Sequence, residues 1–362
     1  MISILKRVST LLVIMLLFGC KTNTVKTQKK LQLKFLDEFV LPEDVMVDGS
    51  LVGGLSGIDY HKGIFYLVCD DSKNPRYYKA TIEIEDDAIF DIIIENVVRI
   101  KDTTKYLDLE AIRYNPKTNE VLLTSEGNIN QHINPSFFSI DTLGKIETKY
   151  RIPNSFNFNS NQKPRHNGTL ESLSNCFDGE GYWIAMELPL IADGPQPQLT
   201  KTKSPARITY IDSKVQDATK QFAYLLEPIA KQSQTGFSVN GLTELLEHKK
   251  ESFFVIERSF SSGLGNQGNS IKIFNVNAAK ATNILNLDSL KEHDFVPATK
   301  ELLLDFEQLR NKLTNSSIDN IEGITFGPTL SNGNKSLILV SDNNFNQFGE
   351  QLNQFILLEI ID

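Results

Sequence analysis

Short apolar runs that end on an acidic residue recur along this chain. The clearest is DNIEGITFGP (319–328), a turn around Asn332-Gly333, then SLILVSDNNF (336–345). Two apolar runs joined by a tight Asn-Gly turn predict a β-hairpin. In an antiparallel pair the start of one strand and the end of the next share an edge, so Glu322 and Asp342 are expected side by side. Four more hairpins have this form: LSGIDY to FYLVCDD (55–71), LEAIRY to VLLTSEG (109–127), LESLSN to YWIAMELP (170–189), and LTELLE to FFVIER (242–258). Aligned on the opening Leu or Ile, the second positions read Ser56, Glu110, Glu171, Thr243 and Glu322. The closing acids read Asp70, Glu126, Glu187, Glu257 and Asp342. The copies start at 55, 109, 170, 242 and 321, which marks a repeat architecture with variable loops.

Between the hairpins the pattern stays β. RYYKATIEI and FDIIIENVVRI follow the first, SFFSID and KIETKYRI the second, ARITYID and QFAYLLEP the third, SIKIFNV and ATNILNL (281–287) the fourth. The fifth hairpin is followed by one strand only, QFILLEI (354–360). Its missing partner is LQLKFLDEFVLP (31–42), which alternates apolar and polar positions near the other end of the chain. Four-stranded units closed by first-to-last strand pairing predict an all-β fold, a β-propeller of five blades. Closure also protects sheet edges. A sixth blade would have to lie in residues 288–317, where KELLLDFEQLRNKL (300–313) instead shows helical spacing and predicts a short helix on the rim.

The N-terminus adds a targeting segment. Lys6 and Arg7 precede an apolar run from Val8 to Phe18, followed by Gly19 and Cys20, which suits a secretory leader better than a bilayer span. Leu17-Phe18-Gly19-Cys20 resembles the lipobox of bacterial lipoproteins, with residues 1–19 as leader, lipid on Cys20, a polar tether over 20–30 and one domain over 31–362. That placement expects a lipid-anchored monomer in the cell envelope, with the outer membrane as its site. Losing Lys6 and Arg7 with the leader takes the formal net charge from −8 to −10, which argues against a nucleic-acid partner and favours cations. Cys69 and Cys176 remain, beside apolar strand residues, and read as free thiols or as a pair.

If each hairpin holds the same place in its blade, Asp70, Glu110, Glu126, Glu171, Glu187, Glu257, Glu322 and Asp342 face one mouth of the ring. Gathering carboxylates there is unfavourable unless cations, arginines or bound protons offset the repulsion. A hard cation, calcium best, would be held by Asp70, Asp71, Glu110, Glu126, Glu187, Glu257 and Asp342 with Asn343 as a neutral ligand. Arg76, Arg165 and Arg258 stand near the motifs as anion-binding groups, and Glu322 and Glu171 as the catalytic carboxylates. The competing role for such strand-end polar residues is local, as acceptors for backbone amides in turns. Neither a GxSxG elbow, a phosphate-binding GxxxxGK[ST] loop nor an HExxH helix occurs.

GGLSGIDY with CDDS and Arg76, RHNGTLESL, IERS, and DNIEGITFGP with VSDNNF, in that order, resemble the phytase-like domain family, described as having esterase-like activity of phytase. The resemblance implies an exported β-propeller that hydrolyses a small-molecule ester or phosphoester. The alternative from the residues is a non-catalytic propeller lipoprotein whose mouth binds a ligand or a protein partner.

Overall fold

The computed structural model describes residues 30–101 and 106–362. The proposed leader, Cys20 and the tether up to residue 29 lie outside the described residues. FYLV, VLLT, WIAM, FFVI and LILV each become a strand buried on both faces, which explains why these runs show almost no polar alternation. Five four-stranded antiparallel sheets result. Blade 1 comprises Leu55–His61, Ile64–Cys69, Arg76–Glu85 and Ala88–Arg99. Blade 2 comprises Leu109–Asn115, Glu120–Ser125, Ser136–Ile140 and Ile146–Tyr150. Blade 3 comprises Leu170–Asn175, Gly181–Met186, Pro205–Asp212 and Asp217–Leu225. Blade 4 comprises Ser238–Lys249, Ser252–Ser261, Asn269–Asn277 and Thr299–Asp305.

Blade 5 takes Asn320–Phe326, Ser336–Asp342 and Asn353–Ile361 from the C-terminal end and Gln32–Leu41 from the other. Leu33 pairs with Ile360 and Phe39 with Phe355, so the expected ring closure is present. The first strand of each blade packs against its neighbours in cyclic order, which makes it the innermost. Apolar cores fill the gaps between blades; Trp183 and Phe222 of blade 3, for example, meet Phe253 of blade 4 with Trp183 centroid separations of 5.5 and 5.3 Å.

Two expectations for blade 4 need correction. Residues 281–287 form no strand but lie along the outer strand of blade 3, where Ile284 N–H donates to the Gln221 carbonyl and Ala298 N–H to that of Ala223. The fourth strand is Thr299–Asp305, so the long interval holds the missing strand of blade 4 and no sixth blade. The expected rim helix is absent as well. Asp305 caps the turn by accepting from Glu307 N–H at 3.0 Å, and three successive 3-10 turns follow. Phe306 and Leu309 are buried from such turns because three-residue spacing suits them as well as it suits an α-helix.

The axis is closed just below one mouth. At the third position of each innermost strand stand Gly57, Ala111, Ser172, Glu244 and Gly323. A Cβ on Gly57 would lie 2.9 Å from the Glu110 carbonyl, and one on Gly323 would lie 3.0 Å from the Gly57 Cα, so backbones here nearly touch. Glu244 is the one large residue of this layer, and its carboxylate meets Arg113 at 2.9 Å, both side chains being 1% exposed. Arg113 also donates to the carbonyls of Ile58 (2.7 Å), Leu245 (3.3 Å) and Ile324 (3.2 Å), while Glu244 accepts from Leu173 N–H (2.9 Å). This one ion pair therefore ties all five blades and blocks the channel. The mouth above it is a cup, not a pore.

Candidate functional site

The cup is a cavity of about 2190 Å³ lined from all five blades. Local strand irregularity aims its carboxylates. In every blade the pairing register breaks immediately after the opening Leu or Ile: after Leu55, Leu109, Leu170, Leu242 and Ile321. A bulge inserts an extra residue and re-aims its side chain. The second position, which holds Glu110, Glu171 and Glu322, occupies that bulge, and all three line the cup. The two remaining second positions are not part of the lining: Ser56 donates to the Leu109 carbonyl at 2.9 Å, and the Thr243 hydroxyl is buried without a partner.

The closing positions form a second layer, with one substitution that the motif alignment concealed. Leu55, Leu109, Leu170 and Ile321 face Cys69, Ser125, Met186 and Ser341, each one residue before the closing acid. In blade 4, Leu242 faces Glu257 itself. The closing position there is Arg258, opposite Gly241. Glu257 turns to the other side, accepting from Tyr224 OH (2.6 Å), Asn240 Nδ2 (2.7 Å), Glu227 N–H (2.9 Å) and Lys300 Nζ (2.7 Å) between blades 3 and 4. Its expected place in the mouth is thus corrected: the layer is Asp70, Glu126, Glu187, Arg258 and Asp342. Gly241 is required because a Cβ would come 2.3 Å from the Glu187 carboxylate.

The cup divides into two halves. On one side Arg258 reaches Glu187 and Glu322, each at 3.4 Å, and bonds to Asn320 Oδ1. Asn320 in turn donates to Glu322 at 3.0 Å, and Asp342 accepts from Asn344 N–H at 2.7 Å. Asp342 pairs with Asn320 across the strands rather than with Glu322, which the bulge swings beside it. On the other side Asp70, Asp108 and Glu110 bring one carboxylate oxygen each within 4.8 Å of one another, and so do Glu110, Glu126 and Glu171. Among the described residues no arginine or lysine forms an ion pair with any of these five.

Electrostatics follow the division. Burial, then the shared hydrogen bond and charge of Asp108, drives Asp70 well above the usual carboxylate range. Burial and Glu171 do the same to Glu110, and burial with Glu187 and Glu126 to Glu171. Burial and Asp108 push Glu126 up to about 8. Glu322 reaches about 8 through burial despite Arg258, and Asp342 about 6 through burial despite Asn344 N–H and Arg258. Burial alone would lower Arg258, but Glu322, Glu187, Glu171 and Asp342 hold its guanidinium above the ordinary value.

The other candidates fall around this centre. Arg76 lines the cup but directs its donors to Asp71 (2.8 Å), Asn74 O (2.9 Å), Leu51 O (3.2 Å) and Tyr78 OH (2.7 Å). Asp71 is therefore engaged as its partner. Asn343 uses Oδ1 to accept from Gly54 N–H at 2.9 Å and Phe345 N–H at 3.2 Å, a backbone-capping role. Arg165 donates to Pro189 O (2.9 Å) and Gly194 O (3.0 Å), fixing a loop outside the lining, whereas its neighbours His166 and Asn167 are in it. Cys69 and Cys176 are free. Asp108 and Asn320 were missed; both stand one residue before the opening position, just outside the aligned motif. Tyr106 OH orients Asp108 at 2.8 Å.

No curated protein matches the sequence. Among solved structures the chain is similar to a thermostable family-43 glycoside hydrolase (8% identity, 85% of this chain and 89% of that one, TM-score 0.46). It is also similar to the major Malassezia sympodialis allergen Mala s 1 (10%, 89% and 96%, 0.40) and to the catalytic domain of the Coprinopsis cinerea GH62 α-L-arabinofuranosidase (8%, 84% and 91%, 0.40). Residues 50–345, a span that contains Asp70, Asp108, Glu110, Glu126, Glu171, Glu187, Glu322 and Asp342, match the phytase-like model described as esterase-like activity of phytase, and the chain belongs to that family.

Proposed function

We propose that the cup hydrolyses a small ester or phosphoester with the help of a divalent cation, calcium by the oxygen-only character of its donors. The observation that supports this is the asymmetry of charge: among the described residues five carboxylates of the cup have no arginine or lysine partner, while Arg258 meets Glu187 and Glu322 across the same cavity. Asp70, Asp108, Glu110, Glu126 and Glu171 would hold the cation, which when bound supplies Lewis acidity and lowers the pKa of water. Arg258, fixed between Glu187 and Glu322, is placed to receive the negative charge that develops on the substrate oxygen. Glu322, titrating near 8 beside it, keeps its proton at neutral pH and can donate it to the leaving oxygen. The closed axis keeps the substrate from passing through. A lipid anchor at Cys20, holding the propeller at the envelope, belongs to the same reading.

The test is turnover of nitrophenyl phosphate and nitrophenyl acetate by the purified protein, with calcium and with chelator. Activity that falls with chelation and in Arg258→Met and Glu322→Gln supports the proposal. Turnover indifferent to chelation and to both substitutions sinks it. Saturable ligand binding without any turnover would replace hydrolysis by the binding role.

A further inference from the structure

We infer that the uncompensated half of the cup binds two divalent cations that share the Glu110 carboxylate. This rests on the cation-assisted reading above and deepens it. Two groups of three carboxylates meet there, Asp70 with Asp108 and Glu110, and Glu126 with Glu171 and Glu110, and within each the donor oxygens lie within 4.8 Å of one another. Glu110 is the sole member common to both. Its position follows from the fold: it sits on the bulge of blade 2, between Asp70 of blade 1 and Glu171 of blade 3. A carboxylate has two oxygens, and one can serve each neighbour.

An independent observation points to ligands rather than to a bare acidic surface. Glu126 is 5% exposed, lines the cup, and has one carboxylate oxygen, Oε2, buried without any hydrogen-bond partner. An orphaned buried carboxylate oxygen is costly unless something positive satisfies it. Charge counting favours two ions over one. Five ionised carboxylates around one dication leave three negative charges in a buried space; around two they leave one. Asp and Glu oxygens alone select hard ions such as calcium, magnesium or manganese. A pair of ions holds the attacking and the leaving oxygen of one centre together, so phosphomonoesters are the substrate class that this arrangement suits better than carboxylic esters.

Calcium binding to the purified full chain, followed by equilibrium dialysis, tests the inference. The expected result is two ions per chain for the wild type, one for Asp108→Asn, one for Glu126→Gln, and loss of both high-affinity ions for Glu110→Gln. Manganese gives a second readout on the wild type alone: two ions sharing a carboxylate are magnetically coupled, so the isolated-ion hyperfine spectrum fades as the second ion enters. One ion per chain, weakened alike by Asp108→Asn and Glu126→Gln, overturns the shared pair and leaves a single-cation hydrolase standing. No bound ion overturns the pair and the cation-assisted reading together.

Discussion

Raising the pH in the presence of a chelator is expected to destabilise the protein, and calcium is expected to reverse the effect. The reason lies in the raised carboxyls of the cup. Asp342 titrates near 6 in the fold against 3.8 when free, and Glu126 and Glu322 near 8 against 4.5. For an acid whose folded pKa is raised, the folded chain retains a proton that the unfolded chain has released. Stability is therefore highest below the unfolded pKa and is lost as pH rises through the folded one. The window runs from about pH 4 to about pH 8. Each pKa unit is worth about 1.4 kcal/mol, so Asp342 alone accounts for a loss of about 3 kcal/mol. Glu126 and Glu322 act in the same direction, though not additively, because the groups titrate as a coupled set. A folded unit of this size has an unfolding entropy of roughly 0.7 kcal/mol per kelvin, so the Asp342 contribution lowers Tm by about 4 °C. Thermal unfolding followed by circular dichroism across the window, with chelator and with millimolar calcium, is the assay. If calcium binds the ionised acids of the fold as proposed, it adds stability by mass action, and its curve should stay level or rise. A Tm that does not move with pH in chelator would refute the electrostatic account. The same decline with and without calcium would refute the cation.

Three further predictions test the geometry. Arg113→Met leaves Glu244 buried without its counter-ion and frees carbonyls from three blades; urea unfolding should show a loss of about 3–5 kcal/mol, with part recovered in the Arg113→Met, Glu244→Gln double variant. Glu257→Gln should cost about 2–3 kcal/mol through its bonds to Lys300, Tyr224 and Asn240 while kcat/KM stays unchanged, since the side chain lies between blades and not in the cup. Gly241→Ala should displace the Glu187 carboxylate from Arg258, and a fall in kcat/KM with a Tm change of a few degrees would show it; an unaltered enzyme would mean that the Glu187 position does not matter.

The architecture was readable because its cause is local and repeated. Apolar runs bounded by turns, returning five times, leave few all-β folds, and the unpaired strands at 31–42 and 354–360 could only be satisfied by each other. What escaped depends on register. A stretch such as 299–313 carries apolar residues at spacings that suit a strand, 3-10 turns or a helix, and the need of blade 4 for an edge partner decided the first part. The bulges after each opening residue are not encoded in residue type at all; they arise where five innermost strands converge on an axis so narrow that Gly57 and Gly323 nearly touch. Asp108 went unnoticed because the alignment began one residue too late. Blade 4 shows most clearly why composition cannot substitute for register: a shift of one residue in a strand exchanges its faces. The pair Glu257-Arg258 looks like an acid followed by a neighbouring arginine, yet the fold turns the acid into an interblade contact and presents the arginine to the cup. That single offset removes one negative charge from the ring and inserts a positive one. It is the reason Arg258 meets the carboxylates of one half of the cup while, among the described residues, those of the other half have no arginine or lysine partner.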